Sequence, residues 1–231
     1  MILWVIERAL AARNVARALV ATDDRRILEA VRSAGFEAVM TRQDHASGSD
    51  RLAEVAATLD DAVDVIVNVQ GDEPLISPRT IELAVDELLR TTEAAVVTSC
   101  ETIRQAMEVL SPDVVKVVTD ERGRALYFSR APIPYPRDAV REHGTLEAAL
   151  MSDPSLVARF RKHTGFYAYR RRFLLEYSGW PQSTLERAES LEQLRALERG
   201  ATIQVVEART PSIGVDTAED LERVREIIGG E

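Results

Sequence analysis

Apolar positions along the chain follow two spacings, and the two alternate. Apolar side chains three and four residues apart predict a helix from Met1 to Arg13. Short apolar runs bounded by turn residues predict strands, and the strongest of these is the run from Val63 to Val69. The two patterns continue to alternate as far as a predicted strand at Ala94 to Cys100. This order of strands and helices predicts an α/β fold, with a mainly parallel sheet and helices on both faces.

The clearest helical pattern lies late in the chain, from Ser183 to Arg199. Ser183 and Glu186 have the spacing of a capping box, in which each side chain accepts a backbone N–H of the other's residue. Leucines then recur along one side, and Gly200 is well suited to end the helix. We predict one continuous helix here.

The region between these elements is less regular. Val114 to Val118 and Arg124 to Phe128 predict a strand pair, after which three prolines interrupt regular structure. The following residues are polar, with helical patches, and no repeat or linker separates them from the rest. We therefore predict a single domain spanning residues 1–231, with a loop-rich excursion near residues 130–165.

Composition narrows the class of protein. The chain has 29 Lys and Arg residues against 38 Asp and Glu, and its net charge of −9 disfavours binding to nucleic acid. The single cysteine, Cys100, excludes an intrachain disulfide, which fits a reducing cytoplasm. No apolar run approaches the roughly 20 residues that cross a bilayer, so we expect no membrane partner.

Several catalytic motifs are absent from the sequence. It has no Gly-x-Ser-x-Gly elbow, no Gly-x-Gly-x-x-Gly fingerprint and no P-loop. Its 3 histidines lack the spacing of zinc ligands. A hydrolase triad, a dinucleotide site and a zinc centre are therefore not expected.

Two acidic residues lie where ligands of open α/β sheets bind, beyond the ends of strands. Asp72 follows the strand of Val63 to Val69, and its carboxylate could bind Mg²⁺ or serve only the turn. Asp216 could be a second ligand or a helix N-cap, and Thr217 with Asp220 also has capping-box spacing. Two such carboxylates with a nucleotide between them would make a Mg²⁺ clamp for phosphoryl transfer.

The loop from Thr41 to Arg51 has an unusual mixture of side chains. It holds hydrogen-bond donors and acceptors of several types, and a glycine that permits close backbone approach. This composition suits recognition of a base edge or a sugar. An ordinary surface loop is an equally good interpretation.

Taken in order, these and other segments resemble one enzyme family. The segments are VATDD, TRQDHASGSDRLAEV, VNVQGDEPLI, VVKVVTDERGRALYFSRAPIPYPRD, HTGFYAYRRRFL, LERAESLEQLRALERG and GVDTAEDLERV. With them the chain resembles the 3-deoxy-manno-octulosonate (Kdo) cytidylyltransferases, also called CMP-Kdo synthetases, from its first helix to its last. The resemblance implies a nucleotide-diphosphosugar transferase (Rossmann-like) fold. It also implies a cytoplasmic, Mg²⁺-dependent homodimer that converts CTP and Kdo to CMP-Kdo and pyrophosphate for lipopolysaccharide synthesis.

The resemblance further implies a role for individual residues. Asp72 and Asp216 would hold Mg²⁺ and be the catalytic residues. The residues around cytosine and ribose would be Arg42, His45, Ser47, Gly48 and Gln70. The residues around Kdo would be Arg130, His163, Tyr167, Glu192 and Gln193. The stretch after Arg130 would help to build the dimer interface.

The sequence departs from the family at its start. In the family, a strand and a basic loop precede the first helix, and their sequence reads roughly IPAR…RLPGKP. The basic residues of that loop bind the triphosphate. This sequence begins at that helix, so we expect the chain as written to be weakly active or inactive. Two alternatives remain open: a cytidylyltransferase for a related acid sugar such as 8-amino-Kdo or neuraminate, and a non-catalytic binding or dimerisation protein of the same fold.

Overall fold

The computed structural model describes residues 1–45, 47–215 and 217–229. Its helices are α1 (Ile2–Leu10), α2 (Arg25–Ser33), α3 (Gly48–Thr58), α4 (Pro78–Arg90), α5 (Ala106–Leu110), α6 (Arg137–His143), α7 (Leu146–Ser152), α8 (Arg171–Ser178), α9 (Thr184–Glu189), α10 (Gln193–Glu198) and α11 (Ala218–Gly229). Its strands are β1 (Leu19–Thr22), β2 (Glu37–Met40), β3 (Val65–Asn68), β4 (Ala94–Thr102), β5 (Lys116–Thr119), β6 (Ala125–Ser129), β7 (Arg161–Arg170) and β8 (Thr202–Glu207). The predicted alternation of strands and helices is confirmed over the first hundred residues.

The chain divides into two compact units. Unit 1 comprises Met1–Thr92, Phe166–Trp180 and Thr210–Glu231, and unit 2 comprises Glu93–Gly165 and Pro181–Arg209. Strand β7 contributes its first half to unit 2 and its second half to unit 1. The single domain expected from the sequence stays a prediction.

In unit 1, β1 and β2 form a parallel pair, with Leu19 opposite Glu37 and Thr22 opposite Met40. Side chains of α1, α2 and these strands form one core cluster of the unit, because each element turns one apolar face inward. The most buried members of that core are Ile6, Val20, Val31 and Ala38. Strand β3 pairs antiparallel with the second half of β7.

In unit 2 the strand order is β6-β5-β7-β4-β8. Strands β4 and β8 are parallel, whereas β5 pairs antiparallel with both β6 and β7. The β5–β6 pair is the one predicted from the sequence. The expectation of a mainly parallel sheet is wrong in detail, since β7 runs antiparallel to both β3 and β5 and makes the sheet mixed.

The expected loop-rich excursion is largely helical after the prolines. Helices α6 and α7 and a 3-10 helix, Pro154–Arg159, occupy most of it. Apolar side chains of this region, including Leu150, Leu156 and Phe160, pack with Ile103 and Val109 in a buried cluster of unit 2. This packing stabilises short helices that would not form alone in water.

The predicted single helix over residues 183–199 is wrong, because the chain breaks it at Ser190. Ser190 adopts a left-handed conformation with φ of 54°, which ends α9 and starts the turn into α10. The capping box of Ser183 and Glu186 is confirmed at the start of α9. Across the corner, Arg195 donates two hydrogen bonds to the buried Glu186 carboxylate, at 2.8 and 2.5 Å. That ion pair fixes the angle between the two short helices.

Within the ranges that the structure describes, every helix is too short or too polar to cross a membrane.

Candidate active site

A cleft of about 620 Å³ opens in unit 1 beyond the carboxyl ends of β1 and β2. This is the edge at which parallel strands present ligand sites, because the loops that follow them converge there. The residues that line the cleft are Asp23, Asp24, Arg25, Met40, Thr41, Arg42 and Gln43. Of the residues predicted to surround cytosine and ribose, Arg42 is the one that lines this cleft.

Arg51 braces the wall of this cleft, and the sequence did not single it out. Its Nη1 donates to the Thr41 hydroxyl at 2.9 Å and lies 3.0 Å from the Asp23 carboxylate. The hydrogen bond from Arg51 lowers the pKa of Asp23 below its usual range. Arg51 therefore joins the loop after β1 to the loop after β2 and keeps Asp23 ionised.

Three of the predicted cytidine residues, His45, Ser47 and Gly48, lie around the start of α3. Ser47 is the N-cap, since its hydroxyl accepts the Asp50 N–H at 3.2 Å, and Gly48 opens the helix. His45 makes a close contact with the Glu54 carboxylate, which also accepts the Arg42 N–H at 3.3 Å. The bond from His45 lowers the pKa of Glu54. Ser47 thus has a structural role that the sequence-based assignment overlooked.

Gln70 and Asp72 lie on the tight turn that follows β3. The Glu73 N–H donates to the Gln70 carbonyl at 3.2 Å and closes this turn. The chain returns to it near the C-terminus, where the Val215 N–H donates to the Asp72 carbonyl at 2.9 Å. Ser212 also donates its hydroxyl hydrogen to Glu73. The segment that leads to Asp216 is therefore bonded to the Asp72 turn, although Asp216 itself lies outside the described residues.

The cap of α11 involves Thr217 and Asp220. The Thr217 hydroxyl accepts the Asp220 N–H at 3.1 Å, and the Asp220 carboxylate accepts the Thr217 N–H at 3.0 Å. The predicted capping spacing is thus confirmed.

In unit 2, Arg130 follows β6 and is anchored to the end of α9. The Glu189 carboxylate accepts the Arg130 N–H at 2.9 Å and the Ser129 hydroxyl at 2.7 Å. The guanidinium of Arg130 donates to the carbonyls of Glu189 and Pro112, at 2.8 and 3.0 Å. These bonds bring Arg130 to the corner between α9 and α10, where Glu192 and Gln193 lie.

His163 lies on β7, in the part of that strand that belongs to unit 2. Its Nε2 lies 2.9 Å from the Thr98 hydroxyl, and its ring packs edge-on against Phe128 at 4.9 Å between centroids. Burial lowers the pKa of His163 to about 3. His163 is therefore neutral near pH 7. It can act as a neutral hydrogen-bonding group.

Gln193 is buried, with 7% of its surface exposed. Its Nε2 is buried without a hydrogen-bond partner among the described residues. A buried donor without an acceptor is unfavourable, and it requires an explanation such as a bound water, an ion or a functional contact. Tyr167 lies on the half of β7 that belongs to unit 1, stacked on Tyr169 at 5.7 Å.

Comparisons with known proteins decide the family. A family model described as Cytidylyltransferase matches residues 1–203. A 3-deoxy-manno-octulosonate cytidylyltransferase of Trichlorobacter lovleyi is 49% identical over 226 residues, covering 98% of this chain and 87% of that protein. One of the same name from Syntrophotalea carbinolica is 50% identical over 230 residues, covering 100% of this chain and 88% of that protein. The chain belongs to the 3-deoxy-manno-octulosonate cytidylyltransferase family.

Solved structures agree with this membership. A structure of CMP:2-keto-3-deoxy-manno-octonic acid synthetase complexed with CTP has a TM-score of 0.86 and 44% identity, covering 99% of this chain and 87% of that chain. A 4-diphosphocytidyl-2C-methyl-D-erythritol synthase from Anaerococcus prevotii has a TM-score of 0.59 at 12% identity, covering 99% of this chain and 85% of that chain, and shows the shared fold alone. The predicted α/β nucleotidyltransferase fold is therefore confirmed.

The described residues of this cytidylyltransferase-family chain also show which side chains could bind Mg²⁺. Among the described residues, no group of three or more His, Cys, Asp or Glu side chains is arranged to hold a metal ion. Mg²⁺ is commonly held by one or two carboxylates together with substrate phosphates and water. Asp72, on a turn bonded to the segment before Asp216, fits that mode of binding.

Proposed function

We propose that this chain transfers CMP from CTP to Kdo, releasing pyrophosphate. The observation that carries the proposal is its 44% identity, over 99% of its length, to a CMP-Kdo synthetase solved with CTP. Relatives of about the same coverage, at 49 and 50% identity, are named 3-deoxy-manno-octulosonate cytidylyltransferase. The chain is a nucleotidyltransferase, and its cleft lies where the fold places a ligand.

For the nucleotide, we infer that the cleft beyond β1 and β2 is part of the CTP site. Arg42 and Arg25 bring positive charge to a cleft that also contains Asp23 and Asp24. The arginines can donate hydrogen bonds and the aspartates can accept them, which suits the edge of cytosine and the ribose hydroxyls. We expect His45, Ser47, Gly48 and Gln70 to complete the site.

For the acid sugar, we infer contacts from Arg130, His163, Tyr167, Glu192 and Gln193. Arg130 can pair its guanidinium with the Kdo carboxylate through two parallel hydrogen bonds. The unpartnered Nε2 of Gln193 can donate to a sugar oxygen. Neutral His163 suits a hydroxyl better than a carboxylate, because it carries no charge near pH 7.

The reaction needs no covalent protein nucleophile. The anomeric hydroxyl of Kdo attacks the α-phosphorus of CTP, loses its proton to solvent and forms the new P–O bond. The bond from the α-phosphorus to the β-phosphate oxygen breaks, and pyrophosphate leaves. The protein positions the two substrates and compensates their negative charge. Asp72 and Asp216 would hold Mg²⁺, which neutralises phosphate charge and lowers the pKa of an attacking hydroxyl.

Three further properties belong to the proposal. We expect a homodimer, supported by exposed apolar side chains on and beside the region of residues 130–165, such as Tyr135 (61%) and Met151 (74%). We expect a cytoplasmic enzyme, because the one cysteine is a buried free thiol. Its product would serve lipopolysaccharide synthesis. Sedimentation analysis tests the dimer, and replacing both Tyr135 and Met151 by serine should shift it toward monomer.

Pyrophosphate release tests the reaction. The purified chain is incubated with Mg²⁺, with CTP, UTP or ATP, and with Kdo, 8-amino-Kdo or neuraminate. Release should require CTP and Kdo together, and EDTA should abolish it. A preference for another acid sugar would change the assigned substrate. Binding of CTP without release under any combination would favour the non-catalytic protein.

A further inference from the structure

Lys116 is a buried lysine in a chain whose basic residues are nearly all arginines. The sequence contains only 2 lysines, Lys116 and Lys162, among its 29 basic residues, so the other 27 are arginines. Lys116 is fully buried, with 0% of its surface exposed. Lysine is seldom buried completely, because its ammonium group must be desolvated. A specific interaction must therefore offset that cost.

The interaction is a set of three backbone carbonyls from different parts of unit 2. The Nζ of Lys116 donates to the carbonyl oxygens of Ser111 at 2.8 Å, Val114 at 2.5 Å and Arg130 at 2.6 Å. A charged ammonium has three N–H donors, whereas the neutral amine has two, so three acceptors select the charged form. A planar guanidinium cannot direct its donors to the same three points.

Glu189 holds Arg130 from the other side. Its carboxylate accepts the Arg130 N–H at 2.9 Å, while its own carbonyl accepts Arg130 Nε at 2.8 Å. The backbone of Arg130 is thus held at its N–H by Glu189 and at its carbonyl by Lys116. Two guanidinium N–H groups bond to carbonyls of Glu189 and Pro112, and the guanidinium has five. Donors therefore remain for a ligand anion.

We infer that Lys116 and Glu189 are positioning residues that orient the Arg130 guanidinium toward the carboxylate of the acid sugar. The inference rests on the proposed function, which assigns Arg130 to that carboxylate. Neither residue needs to touch a substrate. A bidentate contact tolerates little misplacement, so loosening the Arg130 backbone should weaken recognition of the sugar without affecting the nucleotide.

Steady-state kinetics of Lys116→Met test the inference, with Lys162→Met as the matched control. Lys162 lies opposite Lys116 in the β5–β7 register, and its Nζ pairs with Glu101 at 3.3 Å and with Glu108 at 3.6 Å. Lys116→Met should raise the KM for Kdo by about 10- to 100-fold, the order expected from misplacing a positioning group by about 1 Å. The KM for CTP should stay within about 2-fold. Lys162→Met should leave both values near those of the unmodified chain.

Glu189→Gln is a second variant, in case Lys116→Met does not fold. Glutamine offers one acceptor oxygen where the Arg130 N–H and the hydroxyls of Ser129 and Tyr127 converge on two, and it removes the negative charge that strengthens the bond to the Arg130 N–H. The KM for Kdo should rise in this variant too, by about 10-fold. With two lysines in the chain, selective ¹⁵N-lysine labelling should show two side-chain signals. The protected Lys116 signal should persist in Glu189→Gln and show that the fold is intact.

The outcomes separate this inference from the proposed function. The inference is supported if the unmodified chain turns over and if Lys116→Met or Glu189→Gln raises the KM for Kdo without raising the KM for CTP. Lys162→Met should leave both KM values unchanged. Turnover with an unchanged KM for Kdo in a folded variant, or with equal rises for Kdo and CTP, overturns it. If the unmodified chain acts on no acid sugar, the proposed function fails, and the inference fails with it.

Discussion

Replacing Gln193 by methionine should stabilise the free protein and weaken its binding of Kdo. Gln193 is 7% exposed, and its Nε2 has no hydrogen-bond partner among the described residues. An unsatisfied buried donor costs about 1–3 kcal/mol. Methionine has a similar length and no such donor. We therefore expect the free energy of unfolding to rise by about 1 kcal/mol, taking the low end of that range.

The effect on the sugar should have the opposite sign. If Nε2 donates to a sugar oxygen, its loss removes a hydrogen bond of about 0.5–1.5 kcal/mol. Because 1.4 kcal/mol corresponds to a tenfold change in affinity, the KM for Kdo should rise by about 2- to 10-fold. The KM for CTP should not change.

Urea unfolding with and without Kdo, together with steady-state kinetics, measures both effects. Gln204→Met is the matched control, since Gln204 is 6% exposed but its Nε2 donates to the Arg122 carbonyl. Removing that satisfied bond should lower the free energy of unfolding by about 1 kcal/mol. A Gln193→Met variant that loses stability as Gln204→Met does, with an unchanged KM for Kdo, would refute the reasoning.

Three other variants make distinct predictions. Asp72→Asn should lower kcat by about 100-fold or more, with an unchanged circular dichroism spectrum; near-normal turnover would remove Asp72 from the metal site. The pKa of His163 is about 3 in the folded chain against 6.5 ordinarily, so the unfolded state binds the extra proton. The free energy of unfolding should therefore fall as the pH drops from 6.5 toward 3, by up to about 1.4 kcal/mol per pH unit. Urea titrations should show a smaller slope against pH for His163→Gln. An identical slope in the two proteins would contradict the lowered pKa of His163. Glu186→Gln should cost about 3–5 kcal/mol because Arg195 stays buried without its partner. Adding Arg195→Met should recover part of this loss, and a wild-type urea midpoint in the single variant would argue against the ion pair.

The sequence predicted helix starts and ends correctly where neighbouring residues determine them. Pro78 lies in the first turn of α4, where its missing N–H costs nothing, and the capping box of Ser183 and Glu186 starts α9 as predicted. Gly35 ends the turn after α2 with φ of +84°, a conformation that glycine adopts without strain. Each of these features depends on residues within one turn of one another.

Other features depend on contacts distant in sequence, and the pattern did not reveal them. The corner between α9 and α10 depends on the pairing of Glu186 with Arg195, and of Glu189 with Arg130, 59 residues away. A helical pattern alone cannot show that Ser190 will leave the helix. The antiparallel direction of β7 is likewise set by the strands it meets, since period-two spacing carries no direction.

The candidate site shows the same division. Resemblance to a family named Arg42 and Arg130 as candidate residues, and the structure places Arg42 on the cleft wall and Arg130 beside the corner of α9 and α10. It did not locate Arg51, whose role depends on Thr41 and Asp23 meeting in the folded chain. It also did not show that Ser47 caps α3 or that Gln193 is buried. Burial and hydrogen-bond partners are properties of the tertiary structure.

Direct detection of the product tests the central claim most directly. The chain, at a concentration similar to that of its substrates so that slow turnover is visible, is mixed with CTP, Kdo and Mg²⁺ and followed by ³¹P NMR. The account predicts that the three triphosphate signals decline together while one phosphodiester signal, from CMP-Kdo, and one pyrophosphate signal grow in step. Persistence of the CTP signals, or their conversion to CDP and inorganic phosphate with no phosphodiester, would contradict it.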